Sequence, residues 1–188
     1  MVSAEGETHS SPSLSRDGHE VYYRHVTSSA VRIVARTLAS GAERELVKRA
    51  RDPADPPNGL TAPTLSPDGR HMLAGMRDPS TGLWSLIAAS VSSGESRELV
   101  DPSPHPSEVL MWAPDSASVF IRRPGSGDAR QVLRVFPSGG RSVQVDWPLG
   151  SDTRDFRVHP DGRQIVFVQN TAAETAQSEL LVIKGIAR

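Results

Sequence analysis

Apolar residues along this chain come in short runs set between polar stretches rich in Gly, Pro and Ser, and the runs recur in a fixed order. Val21-Tyr22-Tyr23, Met72-Leu73-Ala74, Val119-Phe120-Ile121 and Ile165-Val166-Phe167-Val168 are β-branched and aromatic runs of the kind that form strands. Each is followed by a second apolar stretch: Val31, Ile33 and Ala35 in alternation, then Leu83 to Ile87, Val132 to Phe136 and Leu180 to Ile183. A more polar, alternating segment such as Arg44-Glu45-Leu46-Val47 comes next, as expected of an outer, half-exposed edge strand.

Two turn marks hold this order in register. Ser15-Arg16-Asp17-Gly18, Ser66-Pro67-Asp68-Gly69, Ala113-Pro114-Asp115-Ser116 and His159-Pro160-Asp161-Gly162 each precede one of the first runs, with aspartates 51, 47 and 46 residues apart. In such a turn Pro presets φ at the first turn position, the Asp side chain caps neighbouring amides, and Gly accepts positive φ. A structural turn role follows for Asp17, Gly18, Asp68, Gly69, Asp115, Asp161 and Gly162. The second mark, Gly41, Gly94 or Gly140, comes 23 to 25 residues after the first, and Gly185 falls in phase in the fourth copy. A unit of about 47 residues with four antiparallel strands cannot bury both faces of its small twisted sheet alone. Stacking like sheets around an axis does so, which predicts an all-β protein of the β-propeller class. A β-sandwich also has strands at regular spacing, but it does not require the same turn four times in phase.

The Ser-Pro-Asp-Gly turn, the two apolar strands after it and the Gly-x-x-Arg-x-Leu hairpin resemble the TolB-like propeller repeat over roughly residues 11 to 188. Arg16 stands where that repeat has proline, and Ser116 where it has glycine. The family occurs in a periplasmic bacterial protein and in many bacterial multidomain proteins, so the resemblance allows a periplasmic setting for a longer parent. It specifies fold better than function, because similar blades serve as protein-binding discs, as gating domains before hydrolases and as sensor domains. The blades run 11–52, 61–101, 107–146 and 152–188 after a polar segment 1–10 that is weak strand material, and the last lacks most of its outer strand. Three arrangements fit: a closed four-bladed ring, a half-ring that dimerises, or part of a longer propeller. Open blade faces are apolar and recruit a matching face, so self-association is expected.

Composition narrows the function. The 188 residues include 15 Gly, 15 Pro and no Cys, which suits a turn-rich β protein and excludes disulfides and thiolate metal sites. With 21 Lys+Arg against 22 Asp+Glu the net charge is −1, which argues against a dedicated nucleic-acid binder. Arg outnumbers Lys 19 to 2, but the arginines alternate with acids instead of clustering, the pattern of a solvated surface. No run approaches the roughly 18 apolar residues of a membrane span. Residues 1–10 lack the basic and apolar regions of a signal peptide, so no export signal is expected in the chain.

Candidate chemistry is sparse. The four turn aspartates could converge on a cation, but a turn that uses each carboxylate to hold its own amides is the stronger reading, and no metal site is assigned. The six histidines show no His-x-x-x-His pair. No serine lies in Gly-x-Ser-x-Gly, and the Gly125-Ser126-Gly127 and Gly139-Gly140 stretches lack the Lys-Ser/Thr of a phosphate loop, so neither a catalytic residue nor a cofactor is assigned. Arg77, Arg122 and Arg123, at the ends of predicted second strands, and Trp147, after the outer strand of the third blade, form the candidate binding surface. The sequence thus points to a non-catalytic interaction module for a protein or peptide partner. Its rivals are an accessory domain of a hydrolase or kinase whose catalytic domain lies elsewhere, and a small-ligand or cation sensor.

Overall fold

A computed structural model describes residues 7–51, 59–124, 130–140, 142–145, 153–159, 164–170 and 178–184. They form strands and turns, with no helix among the described residues. The chain divides into two compact units, Met1–Ser107 and Glu108–Arg188.

The first unit holds two four-stranded antiparallel sheets. One is ordered β1 (Thr8–Leu14), β2 (Glu20–Val26), β3 (Ala30–Thr37) and β4 (Glu43–Ala50); the other is β5 (Thr64–Leu65), β6 (His71–Arg77), β7 (Trp84–Ser90) and β8 (Ser96–Ser103). Each strand pairs with its chain neighbour, as a repeat of successive hairpins dictates. The β1–β2 and β5–β6 turns close alike: the Ser15 and Ser66 amides donate to the carbonyls of Glu20 and His71, and the Gly18 and Gly69 amides donate back to Ser15 and Ser66. Gly69 sits at φ 75°, a conformation that a Cβ disfavours, which is why the motif ends in glycine.

Alternation along the strands sends one set of side chains between the two sheets. Tyr22, Val31, Ile33 and Leu46 from the first meet Met72, Ala74, Ile87 and Ala89 from the second in one buried cluster, with Leu60 of the crossover also inside. Burying such aliphatic side chains is worth roughly 1.5–3 kcal/mol each, so the contact between sheets holds the unit together. β1 begins at Thr8, within the stretch read as a weak polar lead. Ring contacts replace aliphatic ones there: His9 stacks on His25 directly across the pair at 4.5 Å between centroids, and meets Tyr23 edge-on at 5.3 Å.

The second unit repeats the plan. β9 (Glu108–Trp112), β10 (Val119–Pro124), β11 (Arg130–Val135) and β12 (Val143–Val145) make one antiparallel sheet; β13 (Thr153–Val158), β14 (Gln164–Asn170) and β15 (Ser178–Lys184) make another of three strands among the described residues. Val119, Ile121, Val132, Val135, Ile165 and Phe167 are among its most buried apolar residues. The β9–β10 turn keeps the same closure although Ser116 replaces glycine, and Ser116 takes φ 61°. Asp161, Gly162 and Gly185 lie outside the described residues.

Candidate functional site

The turn aspartates act on their own backbones. Asp17 Oδ1 accepts the Ser15 hydroxyl at 2.6 Å and the His19 amide at 3.0 Å. Asp68 Oδ1 accepts the Ser66 hydroxyl at 2.6 Å and the Arg70 amide at 3.0 Å, and Asp115 Oδ1 accepts the Ala117 amide at 2.9 Å. The Ser15 hydroxyl beside Asp17, aided by the His19 amide, holds that carboxyl below its usual range. Burial opposes the same change at Asp68, but the Ser66 hydroxyl and the Arg70 amide prevail. Asp17, Asp68, Glu20 and Tyr22 border a cavity of about 490 Å³ at this end of the first unit. Its carboxylates are engaged within the unit: Glu20 is paired with Arg44 at 2.9 Å and accepts the Tyr22 hydroxyl at 2.9 Å, while Arg16, also on the lining, is exposed. Among the described residues no group of three or more His, Cys, Asp or Glu is placed to hold a metal ion.

The other end of the same two sheets is different in kind. A cavity of about 410 Å³ opens where β4, β6, β7 and β8 meet the β6–β7 loop. Met76 and Leu83, both half-buried, and the exposed rings of Pro79 and Pro102 give it apolar walls. Lys48, Arg49 and Arg77 supply positive charge, and Asp78 and Glu98 negative charge. Asp78 ties the loop together. Asp78 Oδ1 accepts the Ser80 amide at 2.7 Å, the Ser80 hydroxyl at 2.6 Å and the Thr81 amide at 3.1 Å, while the Gly82 amide donates to the Asp78 carbonyl at 2.8 Å. The Ser80 hydroxyl chiefly, with these amides, holds the Asp78 carboxyl below its usual range. Glu98 accepts the hydroxyl of buried Ser85 at 2.7 Å.

Arginine proves to be the joint between the two sheets, which alternation of charge along the sequence did not reveal. Arg24 of β2 donates to the Leu60 carbonyl at 2.8 Å, Arg44 of β4 donates to the Val91 carbonyl, and Arg49 of β4 donates to the Arg77 carbonyl. The three guanidinium groups thus reach from the first sheet to main chain of the crossover, of the β7–β8 turn and of β6 in turn. Arg49 is only 5% exposed, which corrects its reading as solvated surface. The planar fork with several donors suits this task better than an ammonium does, a physical reason for the excess of Arg over Lys.

Of the candidate binding residues, Arg77 lines the second cavity, with its Nε donating to the Gly82 carbonyl at 3.1 Å. Arg122 and Arg123 belong to the second unit. Arg122 donates through Nε and Nη2 to Glu108 Oε2 at 2.8 and 2.5 Å, so its charge is matched across the β9–β10 pair. Arg123 pairs in register with Gln131 and is half-buried. Trp147 lies outside the described residues. Lys48, which sequence reasoning passed over, is exposed at the mouth of the Arg77 cavity. Its signal in the sequence is slight: it is one of two lysines in the chain.

No family model matches the chain, and no curated protein does. Solved structures do. TolB from Acinetobacter baumannii superposes with a TM-score of 0.66 at 18% identity, covering 95% of this chain and 41% of that one. The β-propeller domain of the Trilobed protease from Pyrococcus furiosus gives 0.68 at 15% identity over 95% of this chain and 55% of its own. An acylaminoacyl peptidase from Pyrococcus horikoshii gives 0.65 at 13% identity over 95% and 31%. The chain therefore spans between about a third and just over half of these structures. Among the described residues no helix is long and apolar enough to cross a membrane. Four successive antiparallel sheets, each opened by the same turn wherever that turn is described, and these superpositions together establish that the chain has the TolB-like β-propeller fold.

Proposed function

We propose that this chain is a non-catalytic binding module and that a protein or peptide partner docks at the Arg77 cavity of the first unit. The observation that carries this reading is the contrast between the two ends of the sheets. At the turn end, the carboxylates around the cavity are engaged by the turns and by the Glu20–Arg44 pair, the lining has no large aliphatic side chain, and Arg16 is its one exposed cation. At the other end, half-buried apolar side chains sit beside charged ones on strand ends and on a loop braced by Asp78. Apolar walls with a few fixed polar groups are what a recognition pocket needs. Panning a random peptide library against the full chain tests the reading, with Thr81→Arg as counter-selection because Thr81 is an exposed residue on the cavity wall. Peptides retained by the native chain and lost on Thr81→Arg support it; a library that yields none overturns it.

A second reading is favoured by the partial span. The matched structures include peptidases much longer than this chain, which covers 31% of the Pyrococcus horikoshii enzyme. In that reading the module is the propeller portion of a larger protein, and its cavity meets another domain of the same protein. Coding sequence continuous with a catalytic domain supports this version.

A further inference from the structure

We infer that the first sheet docks a second copy of this chain: the face of β1–β4 turned away from the second sheet receives the exposed face of β13–β15 from that copy. This does not depend on the peptide-binding reading above. The pattern comes from the two sheets of the first unit. The face that the second sheet turns to the first carries Leu65, Met72, Ala74, Ile87, Ala89 and Val91, all in the shared cluster or packed against it. The corresponding positions of the first sheet are Leu14, Val21, Tyr23, Val34, Arg36 and Leu38. Leu14 pairs with Val21 as Leu65 does with Met72, and Tyr23 pairs with Val34 as Ala74 does with Ile87. The Leu38 amide donates to the His19 carbonyl at 2.9 Å, as the Val91 amide donates to the Arg70 carbonyl at 2.9 Å. Val21 and Tyr23 flank Tyr22, which points into the shared cluster, so alternation puts them on the far face.

Burial separates the two faces. Leu65 and Val91 are packed against the first sheet, whereas Leu14 and Leu38 are 60% and 52% exposed. Exposed apolar side chains thus stand where the repeat places a contact between sheets. Arg36, at the position of Ala89, brings no unmatched charge: it and the Tyr23 hydroxyl both donate to Glu43 Oε1 at 2.8 Å. Val182 of β15 shows what fits. It is 49% exposed and lies opposite Val166 of β14, whose neighbours Ile165 and Phe167 are buried on the other side of that sheet. Val166 follows Asp161 by five residues as Tyr22 follows Asp17, and it pairs with Val182 as Tyr22 pairs with Ala35. Tyr22 and Ala35 belong to the face that receives the second sheet in the first unit. One chain therefore exposes a face of each kind, and a second copy supplies the complement of both, a heterologous contact between like subunits.

Light scattering after size exclusion, run on the full chain over a range of concentrations, tests the contact. The mass is expected to rise above the 20.2 kDa of one copy as concentration increases. Leu14→Glu, Leu38→Glu and Val182→Glu are each expected to weaken association about ten- to hundredfold, the effect of taking one large apolar side chain out of a contact. All three variants retain the native circular dichroism, because the three residues are exposed. An equimolar mixture of Leu14→Glu and Val182→Glu chains recovers association, since each keeps the face that the other has lost. A single copy at every concentration overturns the inference, as does association that Leu14→Glu and Leu38→Glu leave unchanged. Association that is lost in both single variants and does not return on mixing overturns the head-to-tail pairing, and the inference with it. The peptide reading stands or falls separately, on the library and Thr81→Arg.

Discussion

Arg49 donates to the main-chain carbonyl of Arg77 across the two sheets of the first unit, and it does so through the space that a side chain on Gly59 would fill. A Cβ at residue 59 collides with the Arg49 guanidinium, and the Gly59 carbonyl itself accepts the Arg77 amide at 2.9 Å. Crossover, strand end and clasp are therefore one arrangement. Gly59→Ala is expected to displace the guanidinium and cost about 1–3 kcal/mol, the range for a buried polar group stripped of its partner. Arg49→Ala costs a similar amount, and the double variant costs little more than Arg49→Ala alone. Urea denaturation of the four proteins checks the cycle; additive losses mean that residue 59 and the clasp are independent.

The turns were legible in the sequence because their chemistry is local. Asp17 and Asp68 bond residues two positions away, and such spacing survives in a string of letters. The strands were legible for a similar reason, since short β-branched and aromatic runs recur after each turn. The clasps were not. Arg44 and Val91 are 47 residues apart, and the two arginines of Arg44-Glu45-Leu46-Val47-Lys48-Arg49 look alike until the sheet decides which faces it presents to its neighbour. The early start of β1 escaped notice because His9 and His25 pair as rings, a contact that no hydrophobicity pattern marks. The Arg77 cavity combines four strands of two sheets, so only its Arg77 stood out.

Blade three offers a natural comparison for the turn serine. In the first two blades the Ser15 and Ser66 hydroxyls each bridge the turn, donating to Asp17 or Asp68 and accepting the amide of Glu20 or His71 at 2.9 and 3.0 Å. Ala113 occupies this place in the third, without a hydroxyl. Ser66→Ala, at a residue 3% exposed, is expected to lose about 1–2 kcal/mol, one hydrogen bond and part of another. Ala113→Ser is expected to be neutral or to gain up to about 1 kcal/mol, since Asp115 already points into the turn. Thermal unfolding of the two single variants checks the pair, and a large loss in Ala113→Ser refutes the equivalence of the turns.

Acid should loosen the first unit through Glu20. The Arg44 guanidinium beside it, then the Tyr22 hydroxyl, hold its carboxyl below the ordinary value of 4.5, against the opposing effect of burial. A group whose folded pKa is depressed adds stability that is present above the unfolded value and is lost as pH falls through the folded one. Stability is therefore expected to be full above about pH 4.5 and to fall below it. Both partners of the pair are partly exposed, so its share is about 0–1 kcal/mol. Arg44→Ala is expected to flatten the acid limb and also to lower stability at neutral pH, because the Val91 carbonyl loses its donor. Chemical denaturation from pH 7 to pH 3 separates the two effects.

Alkali offers the sharpest readout, because Tyr22 and Tyr23 are the only tyrosines in the chain and both are buried. Burial, reinforced by the hydrogen bond from Tyr22 to Glu20 at 2.9 Å and from Tyr23 to Glu43 at 2.8 Å, pushes each phenol up to about 12 from 10.0. A raised folded pKa adds stability that is present below the unfolded value and is lost as pH rises through the folded one, so the folded unit tolerates pH 10 and weakens toward 12. Absorbance of tyrosinate should therefore stay near zero at pH 10, where an unfolded chain is half-ionised, and rise together with loss of the β-sheet signal. Glu43→Gln keeps an acceptor for Tyr23 but removes the neighbouring negative charge, so one of the two phenols is expected to ionise at lower pH while the other does not move. A titration in which both phenols ionise near 10 in the folded native chain contradicts the burial and hydrogen bonding that place them.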